Sequence, residues 1–298
     1  MKILVAGLFL VLFAACGTGT KTEEKTFAEA LDETSLNSTI LTGEVNEILN
    51  RIPSPLEISV LLKESGKKYD AAFLNSPENV SKYNTNYKRA LNLGIYGTDL
   101  GYTNIYEQTQ DGVRYMSTIR NLANDLNIGQ FFEMETIGRL VSNNNNLDSL
   151  LLITTQNFNA INHYLQSQDR SHLSVLFLTG GWLEALHITC QVAKLTPENH
   201  QLQETIGTQK IILDNLIHLL SMFKETDHNM GTLFTDLQDL KQAFDKVSIT
   251  TIYKPSSFEI VDGVMVVKDN SVSTVEITQA DIESIRTITQ SIRTKVIS

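Results

Sequence analysis

Apolar side chains recur every three or four positions through the middle of this chain. Leu147, Leu150, Leu151, Phe158, Ile161 and Leu165 form one series. Leu202, Ile206, Leu213, Leu216, Leu220 and Phe223 form a second, and Leu233, Leu237, Leu240 and Phe244 a third. That spacing lays one apolar stripe along one face of each α-helix, and such stripes leave water only by meeting one another. The chain is therefore expected to be all-α, a multi-helix bundle or irregular helical array. Upstream, Ser54-Pro55 supplies a cap and first-turn proline for Leu56 to Leu62. Val80 to Tyr106 reads as a long or broken helical stretch, answered by Val113 to Leu126 across the turn Gln108 to Asp111. Asn143 to Asn146 reads as a polar loop.

The pattern changes after about residue 247. Ser248 to Tyr253, Phe258 to Val261, Val264 to Val267 and Val272 to Ile277 are short and β-branched, and turn-forming residues separate them. They predict one or two β-hairpins over about 248–278, with Asp262-Gly263 the strongest turn signal. A hairpin alone is marginally stable in water, so it should pack on the helical body. Thr278 and Asp281 then form a capping-box variant that opens a closing helix over about 279–297, with Ile282, Ile285, Ile288 and Ile292 on its buried face.

At the other end, Lys2 precedes an apolar run from Ile3 to Ala15, which Cys16 terminates. The run is too short to cross a hydrocarbon core about 30 Å thick and has the layout of an export leader. Phe13-Ala14-Ala15-Cys16 resembles the lipobox of bacterial lipoproteins, with Phe13 where that pattern usually has leucine. The resemblance implies cleavage before Cys16 and acylation of its thiol and new amino group. Each buried methylene contributes about 0.8 kcal/mol, so several acyl chains anchor a protein durably. The expected organisation is a signal peptide over 1–15, a flexible tether over 16–29 and a helical domain over 30–298. Lys21-Thr22-Glu23-Glu24, in the tether, also resembles the lysine-then-acidic export signal of surface lipoproteins in Bacteroidetes-type bacteria. The address implied is the outer membrane, in either leaflet.

Residues 1–15 carry Lys2 as their one charge, so cleavage would take the formal net charge from −10 to −11. Such a surface repels nucleic acid and anionic headgroups. The partners expected are the membrane, through lipid at Cys16, and an envelope protein or glycan. Lipidation of Cys16 would leave Cys190 without a disulfide partner, so the fold must rely on its core.

Two stretches are less generic: Gly94-Ile95-Tyr96-Gly97-Thr98-Asp99-Leu100-Gly101-Tyr102 and Leu178-Thr179-Gly180-Gly181-Trp182-Leu183-Glu184-Ala185-Leu186-His187. With matching order over about residues 85–195, they resemble a family of uncharacterised, mainly helical lipoproteins of Bacteroidetes-type bacteria. That resemblance implies a helical fold and a cell-envelope address, and brings no catalytic residues with it. Leu100-Gly101 also looks briefly like a tetratricopeptide unit, but the pattern does not recur at a period of about 34 residues and reads as an ordinary helical hairpin.

A helical glycine costs about 1 kcal/mol relative to alanine, a cost usually offset by a closely packed backbone or by room for a ligand. If Gly97 and Gly101 face Gly180 and Gly181, then Gly97, Asp99, Tyr102, Trp182 and Glu184 make the best candidate pocket. Glu184-x-x-His187 and Glu225-x-x-His228 have the spacing of di-iron half-sites. However, Glu184, His187, Gln191 and Lys194 line up as a polar stripe that reads as a solvated face, and Glu225 to His228 falls at a helix end. His163 and His218 read as surface residues, His172 and His200 as lying near helix starts, His228 as lying in a loop, and Cys190 as a buried, inert thiol. Nucleophile-elbow, phosphate-loop, zincin and dinucleotide motifs are missing, so neither a metal nor a cofactor is expected. The function expected is non-enzymatic, a binding or structural role at the envelope. The alternative is a small-ligand or metal carrier, or an enzyme with a site near Asp99, Tyr102, Trp182 and Glu184.

Overall fold

Several helices in this protein begin where a side chain accepts a hydrogen bond from an otherwise orphaned backbone N–H. The computed structural model describes residues 61–132, 147–225, 227–261, 264–268 and 270–298, all within the unit Val45–Ser298. Thr85 accepts from the Lys88 N–H at the start of α1 (Asn86–Ile105). Glu107, at φ 60°, turns the chain into α2 (Thr109–Asp125). Next come α3 (Leu147–Ser167) and α4 (Ser171–Leu195). Asn199 caps α5 (His200–Ser221) and Asp227 caps α6 (His228–Phe244). The stretch read as Val80 to Tyr106 is indeed broken: a 3-10 turn over Pro77–Lys82 precedes α1. His228 is the first residue of α6 and not part of a loop. The expectations for Cys16, the tether, Leu56 to Val60 and Asn143 to Asn146 lie outside the described residues, as does Asp262-Gly263.

The architecture is all-α with a small β element and a closing helix, as the periodicity predicts. Its centre is α4, whose residues from Leu173 to Ala193 are almost all buried. A helix that is apolar on nearly every side belongs inside a core, and α1, α3, α5 and the closing helix pack around it. α1 crosses it at backbone contact: a Cβ on Gly94 would lie 2.0 Å from the Phe177 carbonyl oxygen, and one on Gly180 would lie 2.0 Å from that of Leu91.

The four strands are β1 (Ser248–Ile252), β2 (Ser257–Val261), β3 (Val264–Lys268) and β4 (Val272–Glu276). They form two nested antiparallel pairs, with β1 on β4 outside and β2 on β3 inside. The register pairs Val261 with Val264, which leaves two residues for the inner turn. The outer pair leans on α5 at Gly207, where an added Cβ would sit 2.4 Å from Val275 Cγ1. The inner pair projects, and its cross-strand neighbours Phe258 and Val267, together with Met265, face solvent. Thr278 and Asp281 form a complete capping box at the head of α7 (Gln279–Ile297). Ile282, Ile285 and Ile292 are buried as predicted, Ile288 is half-buried, and Arg293 shares their face.

Candidate functional site

Three helices each turn a polar stripe inward at one place. On α1 these are Asn92, Asp99 and Thr103, on α4 Glu184 and His187, and on α7 Thr289 and Arg293, all buried. Helical spacing sets the rows: three, four or seven residues along a helix return to one face. Asp99 and Glu184 are both 0% exposed. Arg293 grips Glu184 with two prongs, Nε to Oε2 at 2.5 Å and Nη2 to Oε1 at 2.6 Å. Its Nη2 also donates to the Phe73 carbonyl at 3.1 Å. The planar guanidinium fits a carboxylate in this way, and such bidentate pairs are among the stronger hydrogen bonds in proteins.

Asp99 completes the cluster. Its Oδ2 accepts from the Asn75 N–H at 3.2 Å, while its buried Oδ1 has no hydrogen-bond partner. Burial, and after it the negative charge of Glu184, push Asp99 well above the usual carboxylate range, although Arg293 and the Asn75 N–H pull the other way. Two dry carboxyl groups sharing one guanidinium cannot both ionise cheaply. Glu184 is thus the carboxylate that faces Arg293, and Asp99 keeps its proton. Burial works against the Arg293 charge, but Glu184 more than offsets it and holds the guanidinium protonated. His187, one helical turn beyond Glu184, is pushed down to about 4, chiefly by burial, so its ring stays neutral.

His187 gives a direct pH prediction. Its folded pKa lies below the unfolded value of about 6.5, so the unfolded chain takes up a proton first and stability falls as pH drops from about 6.5 to 4. At 1.36 kcal/mol per pKa unit the loss amounts to about 3 kcal/mol. Urea midpoints should fall over that range in the wild type and fall less in His187→Gln. Parallel declines would remove His187 as the cause.

The candidate pocket is only partly assembled. Asp99 and Glu184 both lie in the buried cluster, and the close helix approach uses Gly94 and Gly180 in place of Gly97 and Gly101. Gly97 is exposed, and a Cβ there would meet only Phe177 Cε2, at 4.0 Å. Gly101 is half-buried. Tyr102 belongs to a neighbouring stack, 5.4 Å from Tyr69 and 4.8 Å from Tyr106 between ring centres, and its hydroxyl accepts from the Asp70 N–H. Trp182 turns to α5, where its indole N–H donates to Gln209 Oε1 at 3.0 Å.

The stripe read as solvated is corrected at its first half: Glu184 and His187 lie beneath α7, and only Gln191 and Lys194 emerge. Glu225 and His228 are exposed at the head of α6. Among the described residues no group of three or more His, Cys, Asp or Glu side chains is placed to hold a metal ion. Cys190 is buried, and burial pushes its thiol up to about 12, so it stays protonated.

Arg293 and Asn75 are the partners that the sequence reading missed. Arg293 had a legible signal, since it interrupts the apolar face that runs from Ile282 to Val296. Asn75 had none, because it reaches Asp99 from an irregular segment through its backbone N–H. A separate open cleft of about 410 Å³ lies between the start of α5 and the outer strand pair, where His200, Glu204, Lys246 and Glu276 line it. No protein-family model matches this chain, and no curated protein or solved structure matches it either.

Proposed function

We propose that this protein is a lipid-anchored component of the cell envelope, attached through Cys16, with a binding or structural role in place of catalysis. The observation that carries the reading is the leader itself, a charged start and an apolar run from Ile3 to Ala15 that ends at a cysteine. The body supports it from the other side. Helix α4 is long and apolar enough to cross a membrane, yet 94% of its most apolar stretch is buried in the fold, so attachment falls to the lipid. Glu184 supports the second half of the proposal, because both of its carboxylate oxygens are held by Arg293. The outward side chains of the inner strand pair, Phe258, Met265 and Val267, supply exposed apolar surface of the kind that contacts use. Resemblance to helical lipoproteins of Bacteroidetes-type bacteria favours the outer membrane as the address.

Mass spectrometry of the protein isolated from its native membranes tests the anchor. A mature terminus at Cys16 carrying acyl chains is expected, and Cys16→Ser should lose the acyl mass and pass to the soluble fraction. An intact leader, or an unmodified Cys16 thiol in membrane-bound protein, would overturn the reading.

A further inference from the structure

Of the nine large apolar side chains that stand exposed among the described residues, six fall between Ile252 and Val272. Single exposed apolar residues need no explanation, but a cluster of them marks a surface that meets something. Ile252 and Val272 close the outer strand pair as cross-strand partners, Tyr253 follows, and the inner pair sets Phe258 opposite Val267. Residues two apart on a strand share a face, so Met265 stands beside them. Phe258, Met265 and Val267 are 68%, 70% and 61% exposed, and Tyr253 is 86% exposed. Polar bonds brace the base of this arm: the Asn270 amide donates to the Pro255 carbonyl at 2.8 Å and the Ser257 hydroxyl at 3.1 Å, and the Lys254 N–H donates to the Ser271 hydroxyl at 3.3 Å. We propose that the arm lays its apolar face into the headgroup layer of an uncharged lipid surface, a second membrane contact beside the acyl anchor, and this rests on the reading of Cys16 given above.

Lipid fits this face better than a protein partner does. Two five-residue strands offer only a few side chains, whereas a stable protein interface takes about 800 Å² from each partner. A bilayer sets no such threshold, since each apolar side chain partitions separately. Lipid at Cys16 would also hold the body beside the membrane, which makes the second contact intramolecular. The aromatic rings of Tyr253 and Phe258, with Lys254 next to the first, are the residue types that favour the boundary between headgroups and acyl chains. Charge selects the lipid. Residues 248–278 carry two lysines against four carboxylates, and the whole chain is net negative, so anionic headgroups would repel the arm. The contact is shallow, because the inner pair is a two-stranded sheet among the described residues, and the backbone groups along its outer edges cannot exchange water for hydrocarbon.

Tryptophan fluorescence of the full chain in phosphatidylcholine vesicles tests the arm, with brominated lipid as the quencher. Trp182 is the one natural tryptophan and is buried, so it supplies an unquenched background. Phe258→Trp and Met265→Trp should each lose emission to bromine near the headgroups and lose less to bromine near the chain ends, and the loss should shrink as anionic lipid is added. Val113→Trp, at an exposed position on α2, should keep its emission. Acylated protein with no loss at positions 258 and 265, or with equal loss at 113, would overturn the proposal. So would a dimer in sedimentation whose formation, without vesicles, shifts the emission at 258 and 265, since the face would then belong to a second copy. The mass of the same samples separates this claim from the anchor. Acylated protein without quenching sinks the arm and leaves the anchor, quenching of a chain unmodified at Cys16 supports the arm and sinks the anchor, and an unmodified chain without quenching sinks both.

Discussion

Gly180→Ala should be among the most damaging single substitutions in this protein. The new methyl carbon would lie 2.0 Å from the Leu91 carbonyl oxygen, 2.8 Å from its carbon and 3.0 Å from Leu91 Cα, all of them backbone atoms. No side chain can rotate to make room, so α1 and α4 would have to move apart along the contact at the centre of the core. Overpacking of this kind costs about 1–3 kcal/mol, and more where backbone must shift; about 3 kcal/mol or more is expected, enough to unfold a marginal domain. Gly94→Ala meets the Phe177 carbonyl in the same way and should behave alike. Gly97→Ala is the contrasting case: its methyl would find open space, and alanine gains about 1 kcal/mol of helix propensity. Denaturation midpoints should therefore fall for Gly94→Ala and Gly180→Ala and stay level or rise for Gly97→Ala. A stable Gly180→Ala protein would show that the two helices are not in backbone contact.

The glycine series shows how far the sequence could be read. That α1 and α4 meet through glycines was legible, because mid-helix glycines need a reason. Which of five glycines make the contact was not, since it depends on the rotation of each helix about its axis. For α1 that rotation is set by Leu91, Leu93 and Ile95 together with Tyr96, Tyr102 and Asp99, an array apolar and polar on nearly every side that leaves no clear stripe to read. The same ambiguity hid Glu184. On α4 the apolar residues surround the helix, so the row Glu184, His187, Gln191 and Lys194 looked like the one exposed face. In such a helix a charged residue implies a charged partner, and the partner lay 109 positions away on α7. The strands and the Thr278/Asp281 box were legible because they rest on local rules of two to four residues. The segment from Asp70 to Tyr83 was not, since its contacts with Asp99 and Arg293 are made by the Asn75 and Phe73 backbone groups, which any residue type supplies.

The buried pair should prove as sensitive as the glycine contact, with a pH signature of its own. Arg293→Met keeps much of the side-chain volume and removes the charge, leaving Glu184 and Asp99 facing each other without a cation. Removal of one partner from a buried ion pair costs about 3–5 kcal/mol, and at pH 7 that loss should appear as a large drop in the denaturation midpoint. Acid should then narrow the gap between variant and wild type. Low pH neutralises buried carboxyl groups that no cation faces, and the uncompensated charge left by the substitution goes with it. Both proteins share the acid penalty of His187, so the difference between them isolates the pair. Glu184→Gln should behave differently. With Glu184 neutral, Asp99 keeps the burial that chiefly raises it but loses the neighbouring negative charge, and no uncompensated carboxylate is created, so the cost at neutral pH should be smaller and acid should bring no recovery. If both variants lost the same stability at every pH, the charge of Glu184 would not be acting on Asp99, and the cluster would reduce to a simple ion pair beside an independent aspartic acid.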